Sequence, residues 1–184
     1  MKKEKISVKE RMNHFSQYGI YLAFLALVVL FSIFNNKFLT VSNLLNVVRQ
    51  VSFNAIIAMG MFMVILTGGI DLSVGSVLAI SAVVTATFVK IGNANLPVLV
   101  AVLIGLAIGA VCGLFNGFFI TKGKLAPFIV TMVSMTMARG AAQLFTKGRP
   151  VSGLLESFDF IGTGYWLGIP VPIYICLLYT SDAA

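Results

Sequence analysis

The sequence predicts an all-α integral membrane protein, a polytopic helix bundle. Three observations carry that prediction. The 184 residues are 59% hydrophobic and 10% charged, with a mean hydropathy of +0.99. Soluble domains sit nearer about 45–50% apolar and about 25% charged, and a body of this size exposes too much surface to hide the excess. Between Glu10 and Glu156 the only carboxylate is Asp71, which excludes soluble enzymes built on paired acids, metal carboxylates or ion-pair networks. The apolar residues also gather into runs near the length a bilayer requires of a helix, about 17–25 residues.

The elements follow in order. Residues 1–17 read as a basic cytoplasmic segment, in which Lys2, Lys3, Lys5, Lys9 and Arg11 are concentrated. Residues 18–179 read as the membrane domain. Its first crossing is Tyr18–Phe34, uncharged and followed by no small-x-small cleavage site, so it is not a signal peptide. Leu44–Leu66 is the second, interrupted early by Arg49 and Gln50. Leu72–Val89, Leu96–Thr121 and Leu125–Phe145 follow, the last with Arg139 inside it. A sixth run begins near Ile169 and stops at Tyr179, a reach of roughly 16 Å, about half a hydrocarbon core. A chain rarely abandons a crossing midway, because unpaired backbone groups are costly in lipid. The sixth run is therefore expected to be incomplete, the chain to be C-terminally truncated, and residues 180–184, Thr-Ser-Asp-Ala-Ala, to be a truncated or non-native tail.

Orientation follows from the basic amino terminus, which stays in the cytoplasm. Successive crossings then put Lys122 and Lys124 inside and Thr146–Gly168 outside. The net charge of +7 reflects this distribution and attraction to anionic lipid; nucleic-acid binding is not expected. Cys112 and Cys176 both lie in apolar runs and suggest no disulfide framework. The single histidine, His14, has no companion ligand, so no metal is expected. The sequence contains no P-loop, no His-Glu metal motif and no Gly-x-Ser-x-Gly elbow. No catalytic residue and no cofactor is expected.

Three local features carry chemistry. In Thr67–Ser76, Gly68 and Gly69 break the preceding helix, and Asp71 has the chemistry to cap the next. Gly68, Gly69, Asp71, Ser73 and Gly75 are the helix-break and translocation candidates, because an acid near membrane depth is costly and broken helices expose backbone groups to solutes. Capping near the cytoplasmic surface is the simpler role for Asp71. The second feature is a small-residue stripe in the fourth run: Gly105, Gly109, Gly113 and Gly117, with Ala101 upstream. Such a stripe favours close helix packing and predicts that this helix is central to the bundle. The alternative is a smooth wall of a solute path with Asn116 as its polar contact. The third is Arg139, six residues from the end of its run, roughly 9 Å along a helix. Snorkelling to the interface is its simplest role, and a pair with Asp71 is the sharper one. Asn54, Ser134 and Thr136 are further candidates for interhelical hydrogen bonds.

The run TGGIDLSVGS, Thr67–Ser76, closely resembles the signature of the permease subunits of bacterial ABC importers for ribose, xylose and galactosides. GLFNGFFITKGKLAPFIVTMVSMTMARG, Gly113–Gly140, is similar to the paired fourth and fifth helices of those permeases, and Phe38–Gly60 to the segment leading into their second helix. Related branched-chain amino-acid permeases carry an Asn-Phe-Ala-His-type sequence where this chain has Ile70-Asp71-Leu72-Ser73, which tilts the resemblance toward sugars. What it implies is the first inverted half of a type II importer permease in a bacterial inner membrane. The implied partners are a second permease subunit, identical or closely related, a cytoplasmic ABC ATPase, and an extracytoplasmic binding protein that delivers a monosaccharide, ribose-like in class. Thr146–Gly168 would face the binding protein and Thr121–Ala126 the ATPase. The family's main ATPase-coupling loop, a Gly-Gly-Asn then Ala-x-x-Ser-Gly-type stretch, is not found in this sequence.

Two other classes fit the residues alone. One is a secondary transporter or channel using Asp71 as an ion site. The other is a membrane scaffold with the glycine stripe as an oligomer interface.

Overall fold

The computed structural model describes residues 8–90, 92 and 96–182, with side chains described for 18–90, 92 and 96–181. The lysine cluster before Val8, the side chains of Lys9, Arg11 and His14, and the last two residues of the tail lie outside that description. The chain divides into two compact units, 1–48 and 49–184.

In the first unit, α1 covers Val8–Phe34, so the helix begins within the segment that the sequence assigned to a basic terminus. A turn follows in which the Asn35 side chain accepts the Lys37 N–H at 3.0 Å. Thr40 then starts α2 (Val41–Leu66): its Oγ1 accepts the Asn43 N–H at 3.4 Å and its carbonyl the Leu44 N–H at 3.0 Å, the pattern of an N-cap.

The second unit contains the rest of α2, then α3 (Val74–Phe88), α4 (Val98–Thr121), α5 (Pro127–Thr146), the short α6 (Glu156–Thr163), a hairpin of β1 (Tyr165–Trp166) and β2 (Ile169–Pro170), and α7 (Val171–Asp182). Each boundary has a local cause. Pro127 occupies the first turn of α5, where its missing N–H has no partner to lose. Lys147 and Gly148 close that helix at φ 54° and 69°, and the Gly148 N–H returns to the Gln143 carbonyl at 3.0 Å. The hairpin turns on Leu167 and Gly168, both at positive φ, as a two-residue type I′ turn requires.

The five predicted crossings are recovered as helices, and among the described residues α2, α4 and α5 are the ones long and apolar enough to cross a membrane on their own. The sixth run differs. Its first two residues pair in the hairpin, and α7 then continues through Thr180 and Ser181 to Asp182. The predicted tail is therefore partly helical. The segment 147–170 contains α6 and the hairpin.

Helix α3 packs against both α4 and α5, so it, rather than α4, is the centre of this unit. The reason lies in its side chains: the buried Ser76 and Thr85 let neighbours approach without bulk. The buried set is small and half polar. Val89, Ala101, Val130, Ala138 and Ala142 are enclosed alongside Ser52, Ser73, Ser76, Thr85, Asn116, Thr131 and Ser134. Large apolar residues such as Leu99, Leu103, Val111 and Leu114 point outward, the arrangement expected when the solvent is lipid.

Candidate functional site

The site begins where α2 ends. The Thr67, Gly68 and Gly69 N–H groups fold back onto Val64 and Ile65 carbonyls at 2.9–3.2 Å, and Gly68 adopts φ +75°. That backbone conformation costs an L-residue about 1–2 kcal/mol, so Gly68→Ala should lower stability by about that much in a melting measurement. Gly69 has ordinary φ, and a Cβ there would only touch Val64 at 3.5 Å; Gly68 alone makes the break. Gly75 sits exposed in the first turn of α3 with open space around it.

Asp71 does not cap α3 directly. The N-cap residue is Ser73, and Asp71 holds Ser73: one oxygen, Oδ1, accepts the Ser73 N–H at 2.7 Å and the Ser73 hydroxyl at 2.6 Å. From there a chain of hydrogen bonds crosses two further helices. The Asn116 side-chain amide of α4 donates to Ser73 Oγ at 3.0 Å, and Ser134 of α5 donates to Asn116 Oδ1 through a short contact. Every donor in this series points toward Asp71, whose Oδ1 is the final acceptor. Beside it, the Thr131 hydroxyl of α5 lies 3.2 Å from the Ile70 carbonyl and 2.9 Å from the Pro127 carbonyl of its own helix, sharing its one proton between them. Thr131 thereby ties the non-helical segment before α3 to α5.

A cavity of about 950 Å³ opens from this relay, within the range of small-molecule sites, about 300–1,000 Å³. Asp71, Ser73 and Asn116 line one end. Ser81, Thr85 and one face of α4 (Gly105, Gly109, Gly113) form the sides, and Leu154, Phe158 and Asp159 line the other end. The far end is tied to α3 by an antiparallel bridge between Lys90 and Leu154, with the Leu155 N–H on the Val89 carbonyl at 3.1 Å. The cavity thus follows α3 along its length, 15 residues or about 22 Å.

The glycine stripe divides in two. Gly105 is packed: a Cβ there would come within 2.6 Å of Thr85 Oγ1. Gly109, Gly113 and Gly117 have nothing within 4 Å of an added Cβ, and the first two line the cavity. Ala101 and Gly105 are packed, whereas Gly109 and Gly113 face the cavity.

The structure does not bring Arg139 to Asp71. Arg139 is exposed on α5, and Asp71 Oδ1 is taken by Ser73. Asn54 and Thr136 stay outside the relay as well, and Thr136 bonds back to Val133 of its own helix at 2.8 Å. Thr131, Phe158 and Asp159 were not legible as site residues. The available signal for Thr131 was a hydroxyl one turn inside a helix that faces the break. Among the described residues no cluster of His, Cys, Asp and Glu is able to hold a metal.

The sequence profile of the branched-chain amino acid transport system / permease component family matches residues 43–161. The chain belongs to this family. It is 44% identical to the ribose import permease protein of Bacillus subtilis over 97% of its own length and 56% of the relative's. It is 46% identical to the ribose import permease protein of Haemophilus influenzae, over 84% of this chain and 48% of the relative. The D-allose transport system permease protein of Escherichia coli is 34% identical over 96% of this chain and 55% of the relative. The chain spans about half the length of these relatives. No solved structure matches it. As a permease-family member it is an all-helical integral membrane protein, and its relatives are transport proteins rather than enzymes. The stretch matched by the family includes the break, the relay and both long walls of the cavity.

Proposed function

We propose that the chain forms the first inverted half of the membrane-spanning subunit of an ATP-driven importer for a ribose-like monosaccharide. The similarity to ribose import permeases across nearly the whole chain carries this reading. In it, a separate cytoplasmic ATPase supplies the energy, an extracytoplasmic binding protein delivers the sugar, and a second permease subunit completes the path. The amino terminus faces the cytoplasm of a bacterial cell and the Thr146–Gly168 segment faces the binding protein.

Within this scheme the relay Asp71–Ser73–Asn116–Ser134 fixes the broken segment against α4 and α5, and the face of Gly109 and Gly113 is a wall of the solute path. Two features support the assignment. Helix α3 is shorter than the roughly 30 Å hydrocarbon core, so the non-helical residues before it are drawn toward membrane depth. The glycine wall also adds no side chain to an already formed cavity.

A ligand shifts an equilibrium only by its differential affinity for the two states, so net import must draw on outside energy. The test reconstitutes the permease with its ATPase and binding protein in vesicles and follows labelled ribose. Uptake should require ATP and the binding protein and should not respond to an imposed proton gradient. Uptake that runs unchanged without ATP, follows the gradient and loses that dependence in Asp71→Asn would assign Asp71 as an ion site and overturn the importer reading.

A further inference from the structure

Charge is distributed unevenly between two recesses of the second unit. The larger, the cavity beside α3, has an acid at each end: Asp71 next to the relay and Asp159 on α6. Apolar side chains such as Val74, Val77 and Val102 separate the two, and no lysine or arginine is among the described residues that line it. The cations lie across the same junction. Lys90 is bridged through its backbone to Leu154 of the cavity, yet Lys90 lines, with Arg149, a second recess of about 470 Å³. A cleft lined by one sign of charge between low-dielectric walls focuses its field, so the charge acts beyond contact distance.

Asp159 is placed to exert that field. It is exposed, and the Thr163 hydroxyl donates to its Oδ2 at 2.9 Å, which holds the carboxyl group in place. The other oxygen accepts from no described residue. An acid in the first turn of a helix also steadies the helix dipole, and Glu156 shares that turn of α6. Glu156 is not among the residues lining the cavity, so the two roles are separable by substitution.

We propose that Asp159 is a specificity-determining residue that makes the cavity charge-selective, admitting neutral, hydroxyl-rich solutes and turning back anionic ones such as sugar phosphates and sugar acids. The Asp159 carboxyl group accepts hydrogen bonds from solute hydroxyls. A phosphate or carboxylate entering at α6 meets like charge and finds no cation along the described wall, and an unpaired charge taken into such a site is costly. This selectivity rests on the cavity being the solute path proposed above, and it names what that path excludes.

A thiol placed in the cavity reads its charge without transport. Gly109 lies on α4 between Gly105, which faces Thr85, and Asn116, which bonds Ser73, and a Cβ there meets nothing within 4 Å. The experiment takes the full-length permease in membrane vesicles, carries Cys112→Ala and Cys176→Ala with any further cysteine likewise replaced, and adds Gly109→Cys. Rates of modification by a cationic (trimethylammonium) and an anionic (sulfonate) methanethiosulfonate are each divided by the rate with a free thiol in solution. The cationic reagent should be favoured by about fivefold or more, and by less at about 1 M salt, where screening acts within about 3 Å. Asp159→Asn should lower that preference by about threefold or more, Asp159→Glu should keep it, and Glu156→Gln should leave it unchanged. A preference at or below one, no change in Asp159→Asn, or an equal loss in Glu156→Gln overturns the filter while leaving the cavity open to solutes. Protection from both reagents would instead remove the solute path itself, and the filter with it. Should Asp159→Asn fail to fold, the salt dependence of the parent preference decides, and a flat preference overturns the proposal.

Discussion

Asn116→Leu should loosen α4 from both α3 and α5 and, in the importer proposed above, lower ATP-dependent uptake by about tenfold or more. Asn116 is the only residue in the relay that bonds to two other helices, through its amide to Ser73 and its carbonyl to Ser134. Leucine is close in volume and apolar, so the change removes both hydrogen bonds with little change in bulk. Interhelical hydrogen bonds in membrane proteins average about 0.6 kcal/mol and reach about 1.7 kcal/mol, so the direct loss is about 1–3 kcal/mol. Transport is more sensitive than folding, because a bias of about 1.4 kcal/mol between two conformations already changes their ratio tenfold. Ser134→Ala removes only the outermost donor and should have the smaller effect. The double variant decides the matter: residues in one hydrogen-bond network are non-additive by about 0.5–3 kcal/mol. Melting in detergent that gives strictly additive losses would mean that the short Ser134–Asn116 contact carries no coupling, and the relay would not act as a unit.

The sequence exposed the helices and the break more readily than it exposed the relay, for a physical reason. A crossing is written in many residues, and its boundaries are marked by strong local chemistry: Thr40 before α2, Gly68 after it, Pro127 at the head of α5. Each of those acts on its own stretch of chain. The relay instead joins residues 43 and 18 positions apart, and no local period encodes which polar residue of one helix meets which of another. Asp71, Ser73 and Asn116 could be singled out as polar residues in apolar company, but not as partners of one another. The glycine stripe was legible only as a shared face. Spacing of four fixes that Gly105, Gly109 and Gly113 share a face, yet whether that face meets a helix or open space depends on how α3 tilts along it. Thr85 fills the space at Gly105 and nothing fills it at Gly109. Segment 147–170 was hidden because the hairpin is only two residues per strand and α6 only eight residues, too short to show a hydrophobic period.

The wall formed by the stripe makes the second large prediction, and glycine substitutions along it should act in opposite directions. Gly105→Ala places a methyl against the buried Thr85 hydroxyl at 2.6 Å. Thr85 is β-branched, with little freedom to turn away, so overpacking should lower stability by about 1–3 kcal/mol. Gly109→Ala meets nothing within 4 Å, and alanine gains up to about 1 kcal/mol of helix propensity over glycine. Melting should therefore rise at one position and fall at the other, four residues away on the same face. Gly109→Phe extends the second case into a test of function. An added Cβ there meets nothing and the position lines the cavity of about 950 Å³, so in the importer proposed above the subunit should fold and assemble with the ATPase while sugar uptake falls at least about tenfold. The combination is what distinguishes a path from a packing surface. A face that receives another helix would lose stability or assembly already at Gly109→Ala and would reject phenylalanine outright. A face that lines the solute route keeps both and loses only the passage.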